Sequence, residues 1–362
     1  MNILREWYHR YFTDPQVVIL ALLLIAGFIV IFALGDMLIP VMAGVVVAYL
    51  LDGVVGKCNH LGAPRISAVV LVFIFFLSFL IFAMFWMVPR LSSQLTQLVQ
   101  QLPIMMGHGQ ETLLTLPDKY PNLFTEQQVN ELILAIRAEI TAMGQRVLTT
   151  SVASVLSLIT VMVYIILVPV LAFFFLKDKQ RILDWFSHRL PADRPLAERV
   201  WHDVNLQVSN YVRGKVWEIF IVGAGSYAVF KLMGLDYTLL LATMVGLSVI
   251  IPYIGAAVAT LPIAIVAYFQ WGWGADFGWL MLAYGIIQLL DGYLLVPLLF
   301  SEVVNLHPVA IIIAILVFGG LWGIWGVFFA IPLATLVQAV LNAWPRKDKD
   351  RAGDHAEGAA ST

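Results

Sequence analysis

An all-α, polytopic transmembrane bundle is the fold class this sequence predicts, and three features predict it: an apolar excess, few charges, and long gaps between them. Of the 362 residues, 61% are hydrophobic and 12% charged, about half the charged share of an ordinary soluble domain. The mean hydropathy is +0.88. Each Lys or Arg at the centre of a membrane helix costs about 2.5–3.5 kcal/mol, so the gaps between charges outline the spans. From Val216 to Ala343 the only basic residue is Lys231, and the acids are Glu218, Asp236, Asp276, Asp291 and Glu302.

A crossing needs about 20 apolar residues at 1.5 Å each, and with that ruler the elements follow in order. Residues 1–89 hold the N-terminal membrane helices: Val17 to Leu34, a shorter run from Met37 to Leu51 that contains Pro40, and Ile66 to Val88. Arg5 and Arg10 ahead of the first run imitate a signal peptide, but no small-x-small site follows, so an uncleaved first helix is expected. Residues 90–150 change character. Val129, Leu132, Ile133, Ile136, Ile140, Met143 and Val147 recur at spacings of three and four, beside Glu131, Arg137, Glu139 and Arg146, which is an amphipathic helix. A second helix, Leu91 to Leu102, is expected to end at Pro103, with Gly107, Gly109, Pro117 and Pro121 marking a loop. This outer-side segment reads as a helical cap or interfacial helix, with subunit contact as one use.

Residues 151–176 return to the membrane as Val152 to Leu176. Residues 177–215 form cytoplasmic linker helices with eight basic residues, Leu196 to Val212 keeping helical spacing into the next span. Residues 216–343 are a C-terminal membrane core with hairpins. Val216 to Met233 and Trp279 to Phe300 are single spans. Tyr237 to Phe269 is interrupted at Ile251-Pro252-Tyr253-Ile254-Gly255, and Pro308 to Ala343 at Gly319-Gly320 through Gly326 and at Pro332. Each interrupted segment is either two crossings or a re-entrant hairpin. Residues 344–362 lack hydrophobic periodicity and are expected to form a disordered tail. The basic N-terminal flank, the Lys57/Arg65 loop, the 177–215 segment and the basic tail from Arg346 place both termini in the cytoplasm by the positive-inside rule.

Charge and motifs exclude other classes. The 21 Lys+Arg and 23 Asp+Glu nearly cancel, which leaves no basic face for nucleic acid. A lone Cys58 excludes an internal disulfide, and no Cys/His cluster suggests a metal. No P-loop ending in Gly-Lys-Ser/Thr and no His-Glu-x-x-His is present, so the chain is expected not to be an enzyme and to carry no cofactor. Gly223-Ala224-Gly225-Ser226 lies within a span and reads as packing.

Breaks in membrane helices free backbone groups that lipid cannot satisfy, and transporter sites are commonly built where protein or a wet cavity covers them. Pro252, Tyr253 and Gly255 at one break, and Gly323, Gly326 and Pro332 at another, are therefore pathway candidates, with Pro40 as a third break. Asp291 lies deep in its span with Gln288 three residues earlier on the same face, and a carboxyl at that depth faces a cavity or partner or locks two helices. Glu302, Asn305 and His307 cluster before Pro308 as a gate or a solvated loop. Glu218 and Lys231 read as interfacial anchors, and Asp236 as the cap of the following helix.

Several blocks resemble the signatures of a known family: Leu38-Ile39-Pro40, Ala48-Tyr49-Leu50-Leu51-Asp52 with Arg65, Asn210-Tyr211-Val212-Arg213-Gly214-Lys215, Ile250-Ile251-Pro252-Tyr253-Ile254-Gly255, Asn305-Leu306-His307-Pro308, and Gly323-Ile324-Trp325-Gly326 to Ala330-Ile331-Pro332-Leu333-Ala334. On these blocks, from about Pro15 to Trp344, the chain is similar to the autoinducer-2 exporter family, and within it resembles the PerM-type permeases. One departure is Ala256, where members often carry a further proline. The resemblance implies an integral membrane transporter of the bacterial inner membrane with helical hairpins, a homo-oligomer in contact with lipid, in a family associated with export of a signal molecule or sodium/proton exchange. The expected function is a permease that exports or exchanges a small polar solute by alternating access, coupled to an ion gradient. The alternatives are a sodium/proton antiporter and a non-transporting membrane scaffold or regulatory protein. Asp291 is expected to bind a proton or cation, Gln288 and Tyr253 to contact the solute, and Gly255, Gly323 and Gly326 to permit the backbone path.

Overall fold

The computed structural model describes residues 33–114, 155–190, 194–252, 254–300 and 306–343, with short stretches within 22–29 and 125–142. Among the described residues there is no strand, and seven helices are long and apolar enough to cross a membrane. Their large side chains stand open on the outside, Phe75, Ile166, Leu261 and Leu316 among them. Such apolar exposure is stable in lipid, where no hydrophobic penalty drives it inward.

The first described long helix, α1 (Gly35–His60), runs through Pro40 without interruption. This departs from the expected break: a proline removes one backbone bond, and a long helix absorbs that loss. Next come α2 (Arg65–Phe82), a π-helical stretch (Ala83–Met87) and α3 (Val88–Leu114), in direct succession. The π stretch has a cause in the sequence. Pro89 would clash with the carbonyl four residues back, on Phe85, and widening the turn there relieves it; the Val88 N–H bonds Ala83 O instead. Beyond it α3 passes Pro103, where the sequence predicted an end, and continues to Leu114. Of the amphipathic segment, 127–131, 133–135, 138 and 142 are helical, with Val129 and Ile133 buried as their spacing requires; Ile136, Ile140, Met143 and Val147 lie outside the described residues, as do Val17 to Ala21 and the tail.

The remaining helices are α4 (Val155–Lys177), α5 (Lys179–Ser187), α6 (Pro195–Met233), α7 (Thr238–Ser248), α8 (Ile254–Trp271), α9 (Ala275–Leu290), a second π stretch (Asp291–Leu295), α10 (Val296–Phe300) and α11 (Pro308–Ala343). The 39-residue α6 joins the predicted surface helix to the next span without a break.

The chain divides into two units. One comprises Met1–Leu50, Phe174–Gly214 and Phe300–Thr362; the other, Leu51–Phe173 and Lys215–Leu299. In the first, the buried Tyr211 donates from its hydroxyl to Phe328 O at 3.1 Å and packs against the rings of Phe300 and Phe328. Nearby on α6, Asn205 Oδ1 accepts from the Tyr49 hydroxyl at 2.7 Å. In the second unit, α6 to α9 enclose a core of Val222, Phe230, Leu241, Val245, Ile263 and Leu280. Gly223 and Gly246 let α6 and α7 approach backbone to backbone, the small-residue packing expected where lipid offers no hydrophobic drive.

Asp236 does not cap α7. The capping position is Tyr237, in the left-handed region with φ 53°, and it makes no side-chain cap bond. A free N–H of the first turn, that of Leu240, donates instead to Gln94 Oε1 of α3 at 2.8 Å. The Asp236 N–H donates to Gln270 Oε1 at 2.9 Å, and Gln270 Nε2 donates to Gly234 O at 2.8 Å. A single glutamine thus closes the α6–α7 turn from both sides.

Candidate functional site

The second unit concentrates the polar groups around the gap between α7 and α8. Helix α7 ends at Ser248 because Pro252, four residues on, biases the chain away from helix. Its last carbonyls lack intrahelical partners. Lys215 of α6 reaches one of them, donating from Nζ to Val249 O at 2.9 Å. A cation at a helix C-terminus also complements the dipole there. The same ammonium pairs with Glu218 Oε2 at 2.6 Å, and both side chains are almost fully buried, 5% and 3% exposed.

This overturns the reading of Glu218 as an interfacial anchor. Its partner is not Lys231, which is exposed, but Lys215 one turn earlier, at the i, i+3 spacing that places two side chains on one face. The signal was present in the sequence. Both residues fall where the charged linker gives way to apolar helix, so composition assigns them to a boundary, whereas the fold buries them.

Across the gap, α8 begins at Ile254. A Cβ on Gly255 would overlap the Ser248 carbonyl, so only glycine lets the two helix ends pass this closely. Pro252 lies in the turn, half-buried, and Tyr253 falls outside the described residues. In the first turn of α8 the Ala256 carbonyl accepts from the Thr260 hydroxyl at 2.7 Å and from the Tyr284 hydroxyl at 3.2 Å.

Tyr284 opens a polar ladder on α9: Tyr284, Gln288 and Asp291, spaced four and three apart on one face. Gln288 Nε2 and Asp291 Oδ1 are buried with no hydrogen-bond partner among the described residues. Asp291 lies within electrostatic reach of Lys215 and of Glu218. It also starts the second π stretch. Pro297 would clash with the carbonyl of Tyr293, and the widened turn ahead of it carries the Val296 N–H to Asp291 O, as at Pro89.

The structure therefore brings Asp291, Gln288 and Gly255 into one unit, and adds Glu218, which the sequence reading took for an anchor, with Lys215, Tyr284 and Thr260, which it did not assign to a site. The other candidates belong to the first unit. In α11, Trp322 (φ −130°, ψ 15°) and Gly323 (φ 59°, ψ −136°) leave helical geometry. A Cβ on Gly326 would overlap the Phe318 carbonyl. Pro332 is buried within the second part of α11, where its carbonyl accepts from Thr335 Oγ1 at 2.8 Å. His307 is exposed, and its Nδ1 accepts from the Val309 N–H at 3.3 Å, closing the start of α11. Glu302 and Asn305 lie outside the described residues. No group of three or more His, Cys, Asp or Glu able to hold a metal occurs among the described residues.

Seven apolar helices with a charged cluster buried in one unit define a multi-pass integral membrane protein. The comparisons with known proteins narrow this. The profile of the AI-2E family transporter matches residues 18–346. Over 345 residues the chain is 44% identical to an Escherichia coli K12 protein named "Putative permease PerM", covering 95% of this chain and 98% of that one. It is 27% identical over 281 residues to the Bacillus subtilis "Putative transport protein YueF", covering 76% of each. A Mycobacterium tuberculosis "Putative transport protein" is 25% identical over 326 residues, covering 88% of this chain and 87% of that one. The chain belongs to the AI-2E transporter family.

Proposed function

We propose that this protein is an inner-membrane permease that exports or exchanges a small polar solute by alternating access, coupled to an ion gradient, with both termini cytoplasmic. The observation that carries the reading is the pair of buried polar atoms on α9, Asp291 Oδ1 and Gln288 Nε2, which have no partner among the described residues. Leaving such groups unpaired away from water costs about 1–3 kcal/mol each, more for a charge. A site that meets this cost only when occupied is what a carrier needs. Tyr284 and Thr260 continue the polar face towards the α7–α8 gap, where free helix ends supply further donors and acceptors. The homo-oligomer follows from the family resemblance, and non-enzymatic transport from the family itself.

The test is reconstitution of the full chain in liposomes and an untargeted screen of small polar solutes, followed by flux against pH. Asp291→Asn is expected to remove the pH dependence while the protein still assembles. Flux with an unchanged pH profile in Asp291→Asn, or no solute carried by the native chain, would overturn the reading. Collapse of an imposed pH gradient on adding Na⁺, with no solute moved, would identify sodium/proton exchange instead.

A further inference from the structure

Three ionisable side chains of the second unit are within electrostatic reach of one another: Lys215 and Glu218 on α6, and Asp291 at the end of α9. Their charges do not balance. One ammonium faces two carboxyls, so with all three ionised the cluster carries one net negative charge inside a membrane span. Lys215 brings a single positive charge against two acids, and it already lies 2.6 Å from Glu218 Oε2 and donates to the Val249 carbonyl at 2.9 Å. Helices α7 and α8 bring no side chain that is charged at neutral pH to the cluster. Helix α7 has no ionisable side chain, α8 has only Tyr268 near its far end, α9 has Tyr284 and, in its first turn at the opposite end from Asp291, Asp276, and the π stretch adds Tyr293. Asp291 Oδ1 is a buried oxygen with no hydrogen-bond partner among the described residues, and an isolated charge in such surroundings neutralises instead of remaining ionised.

We propose that Lys215, Glu218 and Asp291 form a single-proton exchange centre, in which the two carboxyls together hold one proton whenever the ammonium is in place. Loading forms one O–H bond on a carboxyl oxygen of the pair as a hydronium ion gives up its proton and becomes water, and release returns the proton to water as hydronium. The proton belongs to the pair of acids, not to one of them. The centre is joined to the α7–α8 gap by the same ammonium. When Asp291 is charged it competes with Glu218 and with Val249 O for Lys215; once protonated it leaves Lys215 to them, so proton occupancy biases how firmly the end of α7 is held. The centre's existence stands apart from the permease reading, but the use of the proton as coupling ion rests on it.

Difference infrared spectroscopy of the full chain in lipid nanodiscs counts neutral carboxyls directly through their C=O stretch. The native protein is expected to show one such band at neutral pH that titrates with alkali, and Asp291→Asn and Glu218→Gln are each expected to lose it. Lys215→Met leaves two acids without a base and is expected to double the band. The double variant Lys215→Met/Glu218→Gln is expected to restore the single intensity. Absence of the band in the native protein, its persistence in both single acid variants, or an undoubled band in a folded Lys215→Met would overturn the proposal. Displacement of the band by Na⁺ at constant pH would overturn the proton as occupant. Should Lys215→Met fail to fold, the two acid variants decide alone. None of these readings requires flux, so an absence of transport counts against the permease and leaves the proton centre to its own result.

Discussion

The chain bends sharply at two places that share one steric device and differ in everything that braces it. Between α7 and α8, a Cβ on Gly255 would run into the Ser248 carbonyl; within α11, a Cβ on Gly326 would run into the Phe318 carbonyl. Each lies in a different unit. The first is held by a buried cation, Lys215 on Val249 O, beside two acids. The second is held by rings: Trp322 stacks on Phe318 with centroids 5.9 Å apart and planes 10° apart, and Phe28 tilts against the Trp322 ring with centroids 5.9 Å apart. Tight backbone passage thus needs only glycine, while the chemistry around it is free to differ. One bend is braced by charged groups, and the other by packed rings.

The largest effect should come from removing the charge. Lys215→Met leaves Glu218 buried without its partner and Val249 O without its donor. Breaking a buried ion pair on one side costs about 3–5 kcal/mol, so a clear fall in the melting temperature is expected by circular dichroism in detergent. Adding Glu218→Gln should recover part of it, because the buried acid that has lost its base, and must be neutralised to stay buried, goes with it. A single variant as stable as the native chain would mean that the pair is solvated and that the two bends are braced alike.

Next in size is the glycine pair. Gly255→Ala and Gly326→Ala each force a methyl group onto a backbone carbonyl, which cannot swing aside as a flexible side chain would. Overpacking of this kind costs about 1–3 kcal/mol, and the two losses should be similar, since the steric demand is the same. They should differ in their pH response. Gly255→Ala displaces the helix end that Lys215 holds and should alter the pH profile of transport, whereas Gly326→Ala should lower stability without shifting that profile. Equal shifts in both would dissolve the distinction between the bends.

Most of the spans and both bends are legible in the sequence, and so is the depth of the carboxyl at position 291 in its span, for a common physical reason: each is a local feature of the apolar pattern. Proline and glycine punctuate it, and a lone carboxyl interrupts it. What stayed hidden depends on residues distant in the chain. The partner that buries Lys215 includes a carbonyl 34 residues on, and the cap of α7 comes from Gln94, 146 residues away, so nearby Asp236 was the reasonable but wrong candidate. Proline also misled in both directions. Pro40 and Pro103 were expected to interrupt helices and do not, while Pro89 and Pro297 went unremarked although each explains a π-helical turn just before it. A proline by itself states only that one backbone bond is lost; whether the helix stops, widens or continues is decided by what surrounds it.

The smallest effect, and the sharpest test of the aromatic brace, is at Trp322. Its indole Nε1 is buried with no hydrogen-bond partner among the described residues, so the ring serves the bend through its faces and not through its N–H. Trp322→Phe keeps an aromatic face against Phe318 and Phe28 and removes the unpaired donor. The relief of about 1–3 kcal/mol for a buried unsatisfied group opposes the lost contact area of the larger ring, at about 25 cal/mol per Å², and the two nearly cancel. The melting temperature of Trp322→Phe should stay close to that of the native chain, while Trp322→Ala, which removes the stack altogether, should cost about 3–5 kcal/mol. If Trp322→Phe were as damaging as Trp322→Ala, the indole N–H would have a partner in the membrane protein as it works, and this bend too would be held by a polar contact.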